Sequence, residues 1–423
     1  MEKYRARTIE KSLNSLIAKF PVIMITGPRQ VGKTTLLNYF ANNSNKKINY
    51  VTLDNLLIRQ QAIEDPELFL RTYESPVIID EFQYAPNLLS YIKIKVDEAR
   101  KNAMFGDGKE IETMFFLTGS QVFQTMESVS ESLAGRIGIL DLYGFSTREL
   151  EGLEESIFIP DIKILKQKGK VKKLSTRKLY ERILNGSYPE VVNGKVDFEK
   201  TTAFYEAYIR TYMERDVRQL INIKDENKFL RFISSVAART AQEYNVSDIA
   251  TDVGVDSKTV DEWMSILKNT NLIYTLQAYS NNNVKKAIKR PKIYFMDTGL
   301  ACYLTGYLNA ETLEKSAYNG AIFETYVVSE IVKTFTNNGM SPRMRLYYYR
   351  DGNAKEIDLL IIYDNKVYPV EIKKSANPGK VAFKNFDVVE KFGLEIGDAI
   401  VLCMIDEIFA VEENKYFVPI EYI

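Results

Sequence analysis

A glycine-containing motif near the N-terminus constrains the fold of this chain more than any other feature. Residues 27–34 read Gly-Pro-Arg-Gln-Val-Gly-Lys-Thr, an apolar run at 22–25 leads into them, and a helical pattern at 34–41 follows. Glycines let the backbone turn sharply, so that its N–H groups and the N-terminus of the next helix can surround a phosphate. This strand–loop–helix context predicts a P-loop on a parallel α/β sheet.

The motif predicts ATP as the ligand and Mg²⁺ as its cofactor, with separate roles for its side chains. Lys33 is expected to neutralise β- and γ-phosphate oxygens, and Thr34 to ligate the magnesium ion. The competing interpretation is a glycine-rich turn with an incidental lysine, and the flanking strand and helix argue against it. The predicted nucleotide-binding residues are Gly27, Pro28, Arg29, Gln30, Val31, Gly32, Lys33, Thr34 and Thr35.

Two adjacent carboxylates support the same interpretation. The apolar run at 76–79 ends in Asp80 and Glu81. Asp80 is expected to hold the water shell of the magnesium ion. Glu81 points elsewhere and is expected to polarise the attacking water as a catalytic residue. A helix N-cap would also place Asp-Glu after a strand, but the P-loop earlier in the chain favours the catalytic assignment.

Short β-branched runs alternate with helical patterns over residues 1–150, which predicts a parallel sheet. Because one run lies between the P-loop and the carboxylate pair, we expect a strand inserted between the strands that carry them, as in AAA-type ATPases. That run is at 48–53. All five runs lie at 22–26, 48–53, 77–80, 115–118 and 137–142.

Two further residues of this domain are candidates for catalysis. The fourth run ends in Thr118-Gly119-Ser120, and a polar strand tip at this place commonly senses the γ-phosphate; we favour Ser120. Arg136 follows in Leu-Ala-Gly-Arg at 133–136. It is either an arginine finger or one half of a structural ion pair, and the ion pair is slightly favoured.

Composition excludes several kinds of protein. The 423 residues include no histidine, which rules out Ser-His-Asp and Cys-His catalysis and His-ligated zinc. Cys302 and Cys403 lie far apart, which argues against a disulfide framework and fits a reducing cytoplasm. Lys+Arg and Asp+Glu number 56 each, so a nucleic-acid contact would have to be a local patch. No apolar run approaches the ~20 residues that cross a membrane.

The middle of the chain predicts a connector and helical segment at 151–224 and a winged-helix-like domain at 225–300. The lysine-rich stretch at 163–173 is interpreted as a solvated connector. Two helical patterns around Gly254 precede a strand that begins at 272. The second helix carries Asp261 and Glu262, which would repel phosphates, so packing or protein contact is favoured over DNA binding. Basic residues cluster in the expected wing: Lys285, Lys286, Lys289 and Arg290.

Acidic residues in the last region, 301–423, are ordered as in a metal-dependent nuclease. A predicted helix at 319–335 carries Glu324, and two predicted strands at 357–363 and 367–373 carry Asp358, Glu371 and Lys373. Glu371 and Lys373 are two apart and share a strand face. Three carboxylates can hold Mg²⁺ near a phosphodiester, and the lysine can position a water. The alternative is a retained fold whose charges cut nothing.

Together these segments resemble a prokaryotic family of AAA-like P-loop ATPases that carry a C-terminal PD-(D/E)XK nuclease-like domain of unassigned function. The resemblance covers nearly the whole chain. It implies an AAA-type domain, a winged helix and a restriction-endonuclease-like α/β domain, and it implies no substrate. The matching segments lie at 27–35, 80–83, 117–120, 133–136, 215–217 and 294–300.

Two functions are consistent with this multidomain α/β organisation. The first is a Mg²⁺-dependent ATPase whose nucleotide cycle controls a nuclease-like domain acting on DNA or RNA. The second is a nucleotide-controlled interaction switch whose nuclease fold only binds. A second copy of this chain and another protein are further candidate partners. We expect a cytoplasmic protein without a membrane segment.

Overall fold

The structure is a computed structural model that divides into two compact units. The N-terminal unit contains Met1–Phe145 with residues 269–271 and 336–339, and the C-terminal unit contains the rest of the chain from Ser146 onward. The residues that the structure describes are 4–17, 19–106, 112–119, 133–193, 198–213, 217, 225–280, 289–353 and 355–423.

The N-terminal unit is built on a five-stranded sheet in the order β2-β3-β4-β1-β5. Every neighbouring pair is parallel, which confirms the predicted parallel sheet. Each strand matches its predicted run to within one residue at either end. The strands are β1 (Val22–Thr26), β2 (Asn49–Thr52), β3 (Val77–Asp80), β4 (Phe115–Thr118) and β5 (Ile137–Asp141).

The strand inserted between the P-loop strand and the carboxylate strand is not the one expected. We predicted the run at 48–53, but β4 lies between β1 and β3, and β2 lies at the sheet edge. Burial explains the exchange. All four residues of β4 are buried apolar or hydroxyl residues, whereas Val51 is the one buried residue of β2. A central strand is covered on both faces, so the more apolar strand takes that place.

Helices cover this sheet and fix the strand ends that carry the site. The longest packs its buried residues Leu88, Leu89, Ile92 and Val96, at helical spacing, into the core formed with β1, β3 and β4. Asn55 and Asp65 cap two of the others. The helices are α1 (Ile9–Ile17), α2 (Lys33–Asn42), α3 (Leu56–Glu64), α4 (Pro66–Thr72) and α5 (Leu88–Phe105).

The C-terminal unit begins with α6 (Thr147–Leu150), α7 (Ile162–Lys168), α8 (Thr176–Asn185), α9 (Pro189–Val192) and α10 (Phe198–Tyr212). α7 corrects our interpretation of the lysine-rich stretch as a solvated connector. Asp161 caps the helix by accepting hydrogen bonds from the N–H groups of residues 163 and 164. Lys170 and Lys173 then form ion pairs with Glu407 and Asp406, at 2.5 and 2.7 Å. Helix formation and ion pairing together order this stretch.

Three helices and an antiparallel strand pair follow; among them are the two helices around Gly254 and the next strand that the sequence predicted. Gly254, with a φ of 72°, ends the second helix, and β6 pairs with β7. Assignment of this region as a winged helix stays a prediction, and Lys285 and Lys286 lie outside the described residues. The elements are α11 (Glu226–Ala238), α12 (Val246–Val253), α13 (Ser257–Asn269), β6 (Ile273–Ala278) and β7 (Lys292–Phe295).

The remaining elements belong to one mixed sheet and the helices beside it. Nine described strands form it, in the order β13-β14-β12-β10-β9-β8-β6-β7 with β11 beside β10. The helices are α14 (Thr298–Leu304), α15 (Ala310–Lys315) and α16 (Asn319–Asn337). The strands are β8 (Leu346–Arg350), β9 (Glu356–Tyr363), β10 (Lys366–Ile372), β11 (Glu395–Ile396), β12 (Ala399–Cys403), β13 (Phe409–Glu412) and β14 (Lys415–Pro419).

The hairpin of β9 and β10 positions the C-terminal carboxylates. Asp364 and Asn365 form its two-residue turn with φ values of 50° and 59°, as the sequence predicted. The antiparallel register pairs Val370 with Leu359, which brings the end of one strand beside the start of the other. In the described part of the chain, no helix combines the length and apolarity that crossing a bilayer requires.

Candidate functional site

The loop after β1 has the backbone shape that phosphate binding requires. Gly27 has a φ of 137°, and a Cβ added there would collide with the carbonyl oxygen of Leu142. Gly32 has a φ of 95° and caps α2, which begins at Lys33. Side chains are disfavoured at both positions. The two glycines therefore allow the turn and leave the N-terminus of α2 open toward the loop.

Lys33 is buried within this loop. Its Nζ donates hydrogen bonds to the carbonyl oxygens of Gly27 and Pro28, at 2.8 and 2.7 Å. Both acceptors belong to the loop itself, so the ammonium group is held where a phosphate would bind. Exchanging two neutral acceptors for phosphate oxygens strengthens the electrostatic interaction, because a charge-assisted hydrogen bond is about twice as strong as a neutral one.

Asp80 lies at the end of β3, surrounded by hydroxyl groups. Its Oδ1 accepts hydrogen bonds from Thr34, at 2.9 Å, and from Thr118. Its Oδ2 accepts one from Tyr50, at 2.9 Å. The sequence predicted that Thr34 and Asp80 would act on one metal ion, and the structure brings them into contact. The described side-chain partners of Asp80 are therefore neutral hydroxyls, which bring no positive charge to the carboxylate.

Sequence reasoning missed two of these partners, although both carried a signal. Thr118 is the polar last residue of the apolar strand β4, and our choice at this strand tip was Ser120 instead, which lies outside the described residues. Tyr50 is in register with Ile78, two positions before Asp80 on the neighbouring strand β3. The order of the strands, which sequence alone did not give, was needed to connect Tyr50 with Asp80.

Glu81 is linked to Asp80 through Thr118. Its backbone N–H donates to the Thr118 hydroxyl, at 3.2 Å, and its carboxylate accepts from the side chain of Gln83. Glu81 adopts the left-handed backbone conformation, with a φ of 55°. A non-glycine residue in that conformation is uncommon and clusters at functional sites. The partly buried carboxylate is therefore held by the backbone next to Asp80.

Arg136 has a defined structural partner. Its Nε and a terminal guanidinium nitrogen bind the two carboxylate oxygens of Asp97, at 2.7 and 3.0 Å. This bidentate pair lowers the pKa of Asp97, chiefly through the hydrogen bond from Arg136. The geometry is that of the ion-pair interpretation; the arginine-finger interpretation stays a prediction.

A second group of charged residues lies in the C-terminal unit. Glu324 of α16 accepts a hydrogen bond from the Tyr294 hydroxyl, at 2.7 Å, and from Lys292, at 3.3 Å. Asp358 accepts one from the N–H of Ile372, at 2.9 Å, which joins β9 to β10. Glu324 thus contacts Lys292 and Tyr294 of β7, a contact that the sequence did not predict.

Lys373 connects the remaining predicted residues. Its Nζ lies 2.6 Å from Glu371 and 3.7 Å from Asp358. On the other side of Asp358, the Lys292 Nζ lies 2.6 Å from Glu356 and 3.9 Å from Asp358. The structure therefore brings Glu324, Asp358, Glu371 and Lys373 into one cluster, and adds Lys292, Tyr294 and Glu356 to it. We call these seven residues the C-terminal charge cluster.

Burial shifts the ionisation of this cluster. Burial, together with the negative charge of Asp358, raises the pKa of Glu324 and of Glu371 to about 7. Burial alone would lower the pKa of Lys292, but the charges of Glu324, Asp358 and Glu356 more than offset it, so its pKa is raised. Lys292 is therefore an ammonium ion at neutral pH.

The cluster does not fit the magnesium ion predicted at Glu324, Asp358 and Glu371. Among the described residues, no group of three or more acidic or cysteine side chains is arranged to hold a metal ion. Lysine ammonium groups lie between the carboxylates instead. The period of two along a strand was the available signal, because it places Lys292 with Tyr294 on β7, and Glu356 with Asp358 on β9.

Comparison with known families assigns the class of the N-terminal unit. Residues 19–151 match a family model described as an AAA domain. The strand order and the loop geometry agree with that match, so this unit contains an AAA-type P-loop ATPase domain. Two further models match residues 176–311 and 319–423, described as domains of unknown function DUF8612 and DUF4143. Their descriptions name no activity.

Among whole proteins, the chain is similar to two uncharacterised mycobacterial proteins. One from Mycobacterium tuberculosis and one from Mycobacterium bovis are each 26% identical over 367 residues, which is 86% of this chain and 73% of the relative. The similarity thus spans both units.

Among solved structures, two neighbours are similar to the chain at lower identity. The Holliday junction branch migration motor RuvB of Thermotoga maritima is 15% identical, with a TM-score of 0.28 over 63% of this chain and 88% of that chain. The ORC2 protein of Aeropyrum pernix is 15% identical, with a TM-score of 0.31 over 71% and 91%. The class of the N-terminal unit follows from its family match and from the geometry of its glycine loop.

Proposed function

We propose that the N-terminal unit binds ATP with Mg²⁺ and hydrolyses it. The observation that carries this proposal is the contact of Thr34 with Asp80 beside the glycine loop that holds Lys33. The loop fits a phosphate, because Gly27 leaves space that a side chain would fill. Asp80 and Thr34 fit Mg²⁺, because oxygen ligands of this kind are those that the ion prefers in nucleotide sites.

Each residue then has a defined task. Lys33 would exchange its two loop carbonyls for phosphate oxygens, and Thr34 and Asp80 would hold the metal ion, whose charge would offset that of the phosphates. Glu81 accepts a proton from water as the water oxygen bonds to the γ-phosphorus. The bond from that phosphorus to the β–γ bridging oxygen breaks, and ADP and phosphate leave. Thr118, which contacts both Asp80 and the backbone of Glu81, positions the two carboxylates.

Phosphate release by the full-length protein, with and without Mg²⁺, tests this proposal. Lys33→Ala should abolish turnover and weaken the binding of a fluorescent ATP analogue, because it removes the charge that faces the phosphates. Lys46→Ala is the matched control, since Lys46 is an exposed lysine of the same unit, paired with Glu112. Normal binding and hydrolysis by Lys33→Ala would refute the assignment.

A variant of Arg136 can test whether two copies of this chain form a shared ATPase site. If Arg136 reaches the nucleotide of a second copy of this chain, subunits carrying Arg136→Ala should regain ATPase activity when mixed with Glu81→Gln subunits. Each kind of subunit would then supply what the other lacks. Absence of rescue leaves the ion pair with Asp97, or an arginine finger that acts within one chain, as its role.

For the C-terminal unit, we infer nucleotide-controlled binding of a partner without cutting. A nuclease would need its carboxylates and its lysine to converge, as they do at Glu324, Asp358, Glu371 and Lys373. This convergence supports the prediction that DNA or RNA is cut. Lys292 is the observation that favours the non-cutting alternative, because its ammonium group lies among the carboxylates that would have to hold the metal.

Labelled single- and double-stranded DNA and RNA distinguish these alternatives. The full-length protein is incubated with each, with Mg²⁺ or Mn²⁺ and with or without ATP. Cleavage that disappears in Asp358→Asn would establish the nuclease prediction. Intact nucleic acid, retained or released according to the nucleotide present, supports the switch with a nucleic-acid partner; the absence of binding in every condition directs the search to protein partners.

A further inference from the structure

Lys292 occupies the centre of the C-terminal charge cluster. It begins β7, and its side chain is only 5% exposed. Its Nζ lies 2.6 Å from Glu356, 3.3 Å from Glu324 and 3.9 Å from Asp358. These three carboxylates come from two elements, α16 and β9, which place their charges around one ammonium group. A buried lysine is strongly destabilising unless such partners surround it.

On the other side of the cluster, Asp358 and Glu371 also lie beside a lysine, Lys373. Oδ2 of Asp358 accepts a hydrogen bond from the N–H of Ile372 and lies 3.7 Å from Lys373. Oδ1 faces Lys292. Both oxygens of this central carboxylate therefore face positive or hydrogen-bond-donating groups. Arg350 approaches Glu356 from outside, at 3.8 Å. Four carboxylates thus have two ammonium groups and a guanidinium group beside them.

A divalent cation would need the same oxygen atoms. Magnesium and manganese bind oxygen ligands at close range, about 2.0–2.1 Å for Mg²⁺. An ion held by Glu324 and Asp358 together would compete directly with the Lys292 ammonium for both. Like charges at that separation repel strongly in a buried site. Metal binding would require Lys292 to leave, and its departure would break three ion pairs.

We infer that Lys292 is the resident cation of this site and takes the place that the family resemblance gives to a metal ion. The ammonium group of an amino acid holds three of the carboxylates together, so the domain keeps its cluster without divalent metal. This gives the chemical reason for the non-cutting role proposed above, and does not depend on the ATPase proposal. Removing the lysine charge should turn the cluster into a divalent-cation site.

Manganese binding, followed by electron paramagnetic resonance, is the direct test. Full-length protein without nucleotide is titrated with Mn²⁺ at pH 8, above the pKa of about 7 of Glu324 and Glu371. Every sample carries Asp80→Asn, so that the N-terminal site contributes nothing. Four samples are compared: the background protein alone, and the background with Asp358→Asn, with Lys292→Met, or with both changes. Lys366→Met, which removes an exposed lysine paired with Glu395, is the charge-matched control.

The expected result is that only Lys292→Met gains a bound Mn²⁺ ion, and that adding Asp358→Asn removes it. Without metal, Lys292→Met should lower the melting temperature by roughly 5–10 °C, since a buried ion pair has lost one partner. Added Mn²⁺ should restore part of that loss. The control should behave as the background protein does.

Two results would overturn the inference. One is Mn²⁺ bound by the background protein and lost in Asp358→Asn, which would make the unaltered cluster a metal site. The other is a folded Lys292→Met variant that gains no ion. If Lys292→Met does not fold, Lys292→Met combined with Glu324→Gln removes one charge of each sign and serves as the folded variant. The nucleic-acid cleavage assay is independent of all these outcomes.

Discussion

The two charged sites of this protein use the same residue types in opposite ways. At the P-loop, Asp80 is surrounded by the hydroxyls of Thr34, Thr118 and Tyr50, and the lysine of the site is held by backbone carbonyls. In the C-terminal charge cluster, ammonium groups contact the carboxylates directly. Neutral donors leave a carboxylate charge unbalanced, whereas lysines neutralise it. A cation bound beside Asp80 would meet neutral hydroxyls among its described hydrogen-bond partners, whereas a cation bound in the second site would have to displace Lys292.

This contrast shows why a list of acidic residues is a weak guide to metal binding. Both sites have carboxylates at strand ends with a lysine close in sequence or space, and the sequence suggested magnesium at both. What separates them is the charge of the partners around each carboxylate. A carboxylate with neutral hydrogen-bond donors is ready to bind a cation, and a carboxylate paired with a lysine must first lose that lysine.

The largest expected effect is the loss of catalysis in Glu81→Gln. The variant should bind ATP as the unaltered protein does, but hydrolyse it roughly 10²–10⁴-fold more slowly, because glutamine cannot accept the proton of the attacking water. Single-turnover phosphate release, beside equilibrium binding of a fluorescent ATP analogue, measures both. Glu67→Gln is the control, since Glu67 is an exposed glutamate paired with Arg71. Hydrolysis at the normal rate would show that Glu81 is not the base.

The second prediction concerns pH and the C-terminal charge cluster. Glu324 and Glu371 have pKa values of about 7 in the folded protein and ordinary values near 4.5 when unfolded. Between these values the folded state binds more protons than the unfolded state, so stability falls as pH rises and levels off above about 7. The groups that face them are Asp358, Lys292, Lys373 and Tyr294.

Glu324→Gln should reduce this dependence, because glutamine stays neutral at every pH. We expect the loss of unfolding free energy between pH 5 and pH 7.5 to shrink by roughly 1–3 kcal/mol. Urea denaturation of the C-terminal transition at both pH values measures it, with Glu395→Gln on the exposed strand β11 as the control. An unchanged pH dependence would mean that Glu324 is ionised throughout this range.

How far the sequence alone leads differs between the two sites. The P-loop and the strand that ends at Asp80 are local patterns, so their residues and their parallel strands were predictable within one residue. Tyr50 was not predictable, because its contact depends on β2 pairing with β3 at the sheet edge. From the order of the runs along the chain we predicted that β2 would lie between the P-loop strand and the carboxylate strand. In the structure β2 is only partly buried and lies at the sheet edge.

In the C-terminal unit, the hairpin and its turn were predictable from alternation and from Asp364-Asn365. The partner of Glu324 was not, because β7 reaches the cluster through a sheet whose order follows from many strand pairings at once. Lys292 is a lysine in an otherwise apolar strand. Its charge could have been noticed, but the carboxylates around it come from residues more than thirty positions away in sequence. The residues that meet in this cluster are determined by long-range strand pairing and not by local propensity.

The smallest expected effect comes from Tyr50→Phe, and it examines the hydroxyl shell that distinguishes the P-loop site. Phenylalanine keeps the ring on β2 and removes only the hydrogen bond to Oδ2 of Asp80. One such bond to a charged group contributes about 1.5–3 kcal/mol at most, and Tyr50 is 42% exposed, so water can replace part of it. We expect the Mg²⁺ concentration for half-maximal ATPase activity to rise about 3–10-fold, with the rate at saturating Mg²⁺ nearly unchanged.

Tyr91→Phe, on the partly exposed face of α5, is the matched control. A fall in the saturating rate would instead place Tyr50 in the chemical step, and an unchanged Mg²⁺ requirement would show that Thr34 and Thr118 orient Asp80 without it.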